Sequence, residues 1–147
     1  MSEGAAIWSD AMLAVALTAI DPVGLGGVRL RGGAGPVRDR WLEILRDCLP
    51  ATTPMRKLPP AISDGRLLGG IDLAATLQSG RPVVERGLLA DIDGGVLLAV
   101  MAERLEASTI AHINAALDAH EVIVERDGLS LRLPSAFAVI ALDEGID

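Results

Sequence analysis

Aromatic residues are scarce in this chain: its 147 residues include two Trp, one Phe and no Tyr. Proteins that hold single-stranded nucleic acid stack its bases on aromatic side chains, and binding to phosphate backbones requires clustered Lys and Arg. The formal net charge is −7, so we expect no nucleic-acid partner. Apolar residues nevertheless make up 50% of the chain, which suits one folded domain with an aliphatic core.

Cysteine is limited to Cys48, which excludes an internal disulfide. Its place on the apolar face of a predicted helix favours a buried residue. The early apolar stretch, residues 11–20, is shorter than the roughly 20 residues that span a bilayer. Glu3 and Asp10 precede it instead of a basic segment, so it is not typical of a signal peptide. We expect no membrane span and a cytoplasmic location.

The spacing of apolar residues predicts a series of helices. Ser9 as an N-cap, with Trp8 packed against Leu13, predicts a first helix over residues 10–20. A second helix begins at Pro36 and presents one apolar face, formed by Val37, Trp41, Ile44, Leu45 and Cys48. Three further helices are expected, over residues 73–78, 88–91 and 108–119.

Strands are expected between these helices, which indicates an α/β fold. Residues 96–101 form an unbroken apolar run, typical of a central strand buried on both faces. The strand over residues 28–31 carries Arg29 and Arg31 and therefore has an exposed or partner-facing side. An Asp-Gly pair between two alternating segments predicts a type I′ hairpin over about residues 121–133. The other expected elements are a last strand over residues 137–142 and a long surface connection with one short strand over 51–70.

The segment GGAGPVRDR, between a predicted strand and a predicted helix, resembles a phosphate-binding loop without its chemical groups. In a working loop, G-x-x-x-x-G-K-[ST], glycines turn N–H groups toward phosphate, the Lys reaches the β- and γ-phosphates, and the hydroxyl holds Mg²⁺. Gly32 matches the first glycine, but Val37, Arg38 and Asp39 replace the second glycine, the Lys and the hydroxyl residue. Gly32, Gly35 and Arg38 are the candidate phosphate-contacting residues; a turn with no ligand is the alternative.

The remaining polar residues predict neither a metal site nor a catalytic group. His112 and His120 are eight positions apart, not four as in a helical zinc pair. Asp143, Glu144 and Asp147 form an acidic cluster, which we interpret as a solvated segment.

Four motifs in this order resemble the AAA+ core of the magnesium chelatase family, in the pattern of its D-type subunits. They are DPVGLGGVRLRGGAGPVRDRW at residues 21–41, LLGGIDLAATL at 67–77, ERGLLADIDGGVLL at 85–98 and VERDGLSLRLPSAF at 124–137. The resemblance implies a three-subunit machine that uses ATP to insert Mg²⁺ into protoporphyrin IX, toward chlorophyll or bacteriochlorophyll for photosynthesis. In it the I subunit hydrolyses ATP, the D subunit is the platform for its ring, and the H subunit binds porphyrin.

The resemblance also identifies which catalytic groups are missing here. In the I subunit a strand ends in an Asp-Glu pair that holds Mg²⁺ and polarises the attacking water, and Val100 and Met101 stand at those places in this chain. Glu103 lies two residues beyond and is misplaced for a metal-linked role. The Asn that senses the γ-phosphate after the last strand is absent. Weak nucleotide binding by Gly32, Gly35 and the following helix N-terminus remains open.

The sequence thus predicts an AAA+ P-loop-type α/β sandwich with a mostly parallel sheet over residues 1–147, the N-terminal domain of a platform subunit that does not hydrolyse ATP. ATP and Mg²⁺ are then used by the complex and not bound by this chain alone. The family's fifth strand, helical lid, acidic linker and integrin-I-like domain are not in the sequence, so we expect a longer polypeptide. The alternatives are an ATPase with residual turnover through its non-standard loop and a nucleic-acid remodelling module, which charge and composition disfavour.

Overall fold

A computed structural model describes residues 2–145 of the chain. Four parallel strands form the main sheet in the order β1-β8-β5-β2. Their bounds are β1 Gly27–Arg31, β2 Met55–Leu58, β5 Val96–Ala99 and β8 Ala138–Asp143. The predicted α/β architecture with a mostly parallel sheet is confirmed.

Seven α-helices and one 3-10 helix cover this sheet or connect its strands within the described residues. The helices are α1 Glu3–Ile20, α2 Pro22–Leu25, α3 Pro36–Cys48, α4 Asp64–Leu68, α5 Leu73–Ser79, α6 Leu88–Asp91, a 3-10 turn at Ala102–Arg104, and α7 Ala107–Ala119.

Strand β5 divides the core into two layers because its side chains alternate between the faces of the sheet. Val96 and Leu98 pack with α1 and α3, whereas Leu97 and Ala99 pack with the cluster that contains residues of α4, α6 and α7. All four residues are buried. The prediction of a central strand with two covered faces is therefore confirmed, although the strand ends at Ala99 and not at residue 101.

Two antiparallel hairpins lie outside the main sheet: β3 Gly69–Ile71 with β4 Val84–Arg86, and β6 Glu121–Arg126 with β7 Leu129–Pro134. In the second hairpin, Asp127 and Gly128 have φ values of 49° and 81°. Two successive positive φ values define the type I′ turn, so the predicted hairpin is confirmed. The strand β7 extends through Pro134, one residue further than expected.

The first helix begins earlier than its sequence pattern indicated. Ser2 caps it by accepting a hydrogen bond from the Ala5 N–H, so Ser9 lies inside the helix and not at its start. Trp8 packs against the core cluster that contains residues of α3, while Leu13 is exposed. The two residues therefore do not form the predicted staple at the start of the helix. The alanines that follow Gly4 favour helix strongly, which extends α1 toward the N-terminus.

Two further expectations about helix faces and connections are corrected. Cys48 is exposed, not buried, because Leu42 in α3 and Leu49, the residue after the helix, are buried in its place. The segment expected as a surface connection contains α4 and β3 besides the expected strand β2, and Leu67 in α4 is fully buried.

Helix α1 is long and apolar enough to cross a membrane by length and composition alone, a test that core helices and signal sequences also pass. One side of it packs on α3, where Val15 and Thr18 are buried. Its other side carries Leu13, Leu17 and Ile20, exposed by 59%, 46% and 81%. These three residues follow helical spacing and are here called the α1 stripe.

Candidate functional site

The carboxyl ends of the parallel strands meet at one edge of the sheet, where α/β proteins usually bind their ligands. Strand β1 ends there at Arg31, which lies beside Asp143, the last residue of β8, in the register of the two strands. The loop after β1 leads directly into α3, so the N-terminus of this helix lies at the same edge. The sequence-predicted site residues therefore do lie at the position that a nucleotide site occupies in such folds.

The glycine loop, residues 32–35, has open space around its glycines. A Cβ atom at Gly32, Gly33 or Gly35 would meet no other atom within 4 Å, so the fold does not require glycine at these positions. The Gly32 N–H donates to the Asp143 carbonyl at 2.9 Å, which occupies one of the backbone donors that a phosphate-binding loop presents to its ligand.

Arg38, which stands at the position of the phosphate-binding Lys, forms an ion pair with Glu144. Its Nη1 lies 2.7 Å from Glu144 Oε1, and the side chain is only 13% exposed. Its Nε is buried without a hydrogen-bond partner among the described residues. The guanidinium is thus tied to a carboxylate on the segment that follows β8, 106 residues along the chain.

Asp143 forms a second ion pair at this edge. Its side chain is 7% exposed and accepts hydrogen bonds from Arg29, with Nε at 2.8 Å, and from the Gly145 N–H at 2.9 Å. The hydrogen bond from Arg29 holds the pKa of Asp143 below its usual value, helped by the Gly145 N–H and the nearby charge of Arg31, while burial opposes the shift. The interpretation of Asp143 as solvated is therefore wrong, because this carboxylate is buried and paired. Asp147, assigned to the same cluster, lies outside the described residues.

Glu103, in the 3-10 turn after β5, contacts the segment that follows β8. Its Oε2 accepts a hydrogen bond from the Glu144 N–H at 3.2 Å, and its side chain is 8% exposed. Its Oε1 is buried without a hydrogen-bond partner in the described part of the chain. The residue thus fixes the end of β8 by contact with the backbone.

The edge carries charges of both signs. The guanidinium groups of Arg29, Arg31 and Arg38 lie there with the carboxylates of Glu103, Asp143 and Glu144, and Arg104 Nε lies 3.7 Å from Glu103 Oε1. Beyond β5, the side chains of Val100 and Met101 contain no oxygen that could bind Mg²⁺. Among residues 2–145, no group of three or more His, Cys, Asp or Glu side chains is placed to hold a metal ion.

A cavity of about 270 Å³ lies beside the glycine loop, between α1 and α3. Its walls are mostly apolar and are formed in part by Ile7, Trp8, Leu30, Val37 and Trp41. Two arginines, Arg31 and Arg38, also line it. A ligand of drug size usually fills about 300 to 1,000 Å³. The cavity is therefore small for a nucleotide.

The sequence identified the loop but missed the residues that engage it. Gly32 and Arg38 lie at the carboxyl edge, in the loop and helix that follow β1. The sequence assigned no role there to Glu144 or Glu103, which contact this edge in the structure. One signal was available in the sequence: the strand at residues 28–31 carries Arg29, and Asp143 follows the last apolar strand. Their opposite charges would meet if the two strands were neighbours. That neighbourhood depends on the strand order, which the sequence does not state.

Several curated relatives match this chain over most of its length. The magnesium-chelatase 67 kDa subunit of Chlorobaculum parvum is 39% identical over 127 residues, which are 86% of this chain and 20% of the relative. The 60 kDa subunit of Cereibacter sphaeroides is 40% identical over 95% of this chain and 22% of its own length. The 38 kDa subunit of Rhodobacter capsulatus is 30% identical over 89% of this chain and 46% of its length. The chain therefore spans about a fifth of the larger relatives.

No protein-family model matches the chain. Among solved structures, a model of the complex between subunits BchI and BchD of magnesium chelatase, based on a cryo-EM reconstruction, contains a similar domain. The TM-score is 0.74 at 27% identity, over 93% of this chain and 52% of the other. By sequence and by fold, the chain is an AAA+-like domain of the magnesium-chelatase subunit family.

Proposed function

We propose that this chain is the non-hydrolysing platform domain of a magnesium-chelatase D-type subunit and that it assembles with the ATP-hydrolysing I subunit. The observation that carries the proposal is the ion pair between Arg38 and Glu144. The residue at the position of the phosphate-binding Lys is engaged by a carboxylate of the same chain, so a phosphate would have to displace that carboxylate.

The residues at the carboxyl edge do not suit a Mg²⁺-bound nucleotide. Phosphoryl transfer on this fold depends on a free cation for the phosphates and on carboxylates that hold Mg²⁺ and position water. Arg38 is paired, and Val100 and Met101 have no carboxylate to offer. We infer that the chain binds neither ATP nor Mg²⁺ by itself and that the complex uses both.

The proposed partner is the I subunit. The relatives include the smaller 38 kDa subunit as well as the 60 and 67 kDa subunits, and the similar solved structure is named as a complex between BchI and BchD. The α1 stripe supports an assembly role, because contiguous exposed apolar surface commonly marks a protein interface. Ring self-association, and contact with the porphyrin-binding H subunit through the complex, are further parts of the proposal.

Within that assembly, the activity of the whole enzyme is ATP-dependent insertion of Mg²⁺ into protoporphyrin IX for chlorophyll or bacteriochlorophyll synthesis. This chain contributes a carboxyl edge in which ion pairs join β1 to the end of β8, and α3 to the residue that follows β8. Because these contacts form without a bound ligand, we expect the edge to keep the same shape while ATP is bound and hydrolysed elsewhere in the complex.

A phosphate-release assay on the isolated chain tests the absence of hydrolysis. With ATP and Mg²⁺ in excess, we expect the wild type and Arg38→Ala to release phosphate at the same rate as a sample without protein. The I subunit, at equal concentration, serves as the positive control for the assay.

The rival function, an ATPase with residual turnover, predicts a different pattern. Phosphate release by the wild type that disappears in Arg38→Ala would contradict the proposal, since it would place Arg38 in a working site. The proposal would also be contradicted if both proteins released phosphate well above the blank with a common dependence on the concentration of this chain.

A further inference from the structure

A groove with a volume of about 510 Å³ lies between α4, α7 and β6, and no residue of the glycine loop lines it. Leu68 and Ala116 contribute to its apolar surface, whereas Asp64, His112, Glu121 and Glu125 supply its polar groups. No Lys or Arg is among the residues that line it.

One wall of the groove is an edge of β6, and the backbone groups on this edge form no hydrogen bond with another backbone group of residues 2–145. The residues that flank a two-residue hairpin turn exchange hydrogen bonds across it, and bonded and non-bonded pairs then alternate along the ladder. Arg126 flanks the turn, so Val124 and Val122 also bond to β7. The N–H and C=O groups of Glu121, Ile123 and Glu125 therefore point away from β7.

Pro134 agrees with this assignment. It lies opposite Glu121 in the register. By the alternation, this pair exchanges no hydrogen bonds, so a proline, which has no N–H to donate, fits there. On its outer edge β6 has no strand partner within the described residues, since it forms a sheet with β7 alone.

The groove combines this open edge with negative charge. Glu121 forms an ion pair with Arg132. The Glu125 side chain is exposed. Asp64 Oδ2 lies 3.7 Å from His112 Nε2, and 64% of the Asp64 side chain is exposed. Exposed strand edges pair readily with another extended chain. A segment with Lys or Arg on alternate residues would place cations beside these carboxylates and satisfy the free backbone groups at the same time.

We propose that this groove binds a basic, extended segment of a partner protein, which adds to β6 as a further strand. A hydrogen bond fixes the hairpin to the rest of the domain: the Arg126 side chain donates to the Ile71 carbonyl of β3 at 3.2 Å. Val122 and Val124 anchor the inner face of the strand in the core. The site is separate from the glycine loop and does not depend on whether the chain hydrolyses ATP.

Binding of a labelled synthetic heptapeptide, Lys-Val-Lys-Val-Lys-Val-Lys, to the full chain tests the proposal by fluorescence anisotropy. We expect saturable binding, no binding of the matched Glu-Val-Glu-Val-Glu-Val-Glu peptide, and affinity about tenfold weaker for Glu125→Lys, since the substitution replaces an attraction by a repulsion. Asp118→Lys makes the same charge change on an exposed residue of α7 outside the groove. It should retain the wild-type affinity within about twofold.

Hydrogen exchange distinguishes strand addition from loose electrostatic contact. At saturating peptide, exchange of the Ile123 and Glu125 amides should slow by about tenfold or more, while the Val122 and Val124 amides, already bonded to β7, should not change. Binding of the acidic peptide with equal affinity, equal loss of affinity in Glu125→Lys and Asp118→Lys, or binding without slower exchange at Ile123 and Glu125 would each overturn the proposal.

Discussion

Replacing Trp41 by Ala should lower the free energy of unfolding by about 3–5 kcal/mol, the usual cost of deleting a buried aromatic side chain. Trp41 is 1% exposed and lies at the centre of the cluster that joins α1 and α3 to the sheet. Its Nε1–H also donates to the Ala11 carbonyl at 2.9 Å. The substitution therefore removes both packing and the one hydrogen bond from this side chain to α1.

Trp41→Phe is the matched control, because it keeps an aromatic ring but loses the N–H donor. We expect it to cost about 1 kcal/mol for the hydrogen bond plus a smaller packing term. Urea unfolding followed by circular dichroism measures both variants, and the fluorescence of Trp8, the remaining tryptophan, reports on α1. Equal stabilities of Trp41→Ala and Trp41→Phe would show that α1 is not held to the domain in this way.

Gly95→Ala should destabilise the domain by about 3 kcal/mol or more, at the upper end of the range for overpacking. Gly95 lies immediately before β5, and a Cβ atom there would overlap the Pro54 carbonyl oxygen. That oxygen accepts a hydrogen bond from the Val96 N–H at 2.8 Å, so it cannot move away without loss of the pairing between β2 and β5. The contact is with backbone, which relaxes less easily than a flexible side chain.

Gly65→Ala provides the matched control for this second substitution. Gly65 lies in helix α4, and a Cβ atom there meets nothing within 4 Å. Alanine favours a helix over glycine by about 0.5–1 kcal/mol, so this variant should be slightly more stable than the wild type. The urea midpoints of the two variants should therefore move in opposite directions, and a midpoint for Gly95→Ala equal to that of the wild type would contradict the packing described here.

The elements that the sequence predicted well are those with a strong local signal. The apolar run of β5 is buried on both faces, the Asp127-Gly128 turn has the two positive φ values of its type, and α5 begins after Asp72, whose side chain accepts from the Ala75 N–H. Each of these signals is contained in a few consecutive residues. Local chemistry was sufficient there because tertiary contacts agree with it.

The missed elements depend on contacts between distant residues. Strands β3 and β4 have three residues each, too few for any periodic pattern. They are positioned by a close backbone approach, since a Cβ atom at Gly87 would overlap the Gly69 nitrogen. A glycine in the sequence indicates that such an approach is possible but not which segment makes it.

The candidate site shows the same division. Gly32 and Arg38 could be recognised because they lie within one motif, whereas the partner of Arg38 is 106 residues away. Glu144 reaches Arg38 only because β8 pairs directly with β1 in the sheet. The ion pair is thus a consequence of strand order. Because of it, the Arg38 guanidinium is engaged by a carboxylate of the same chain, which a phosphate would have to displace.

Co-migration of this chain with the I subunit in sedimentation velocity, with and without ATP and Mg²⁺, is the most direct test of the proposed platform role. The account predicts that the two proteins move together in a species larger than either alone in at least one of these conditions. It also predicts that Arg38→Ala leaves that species able to form, because its formation needs no nucleotide bound to this chain. Separate migration of the two proteins under every condition would contradict the central claim.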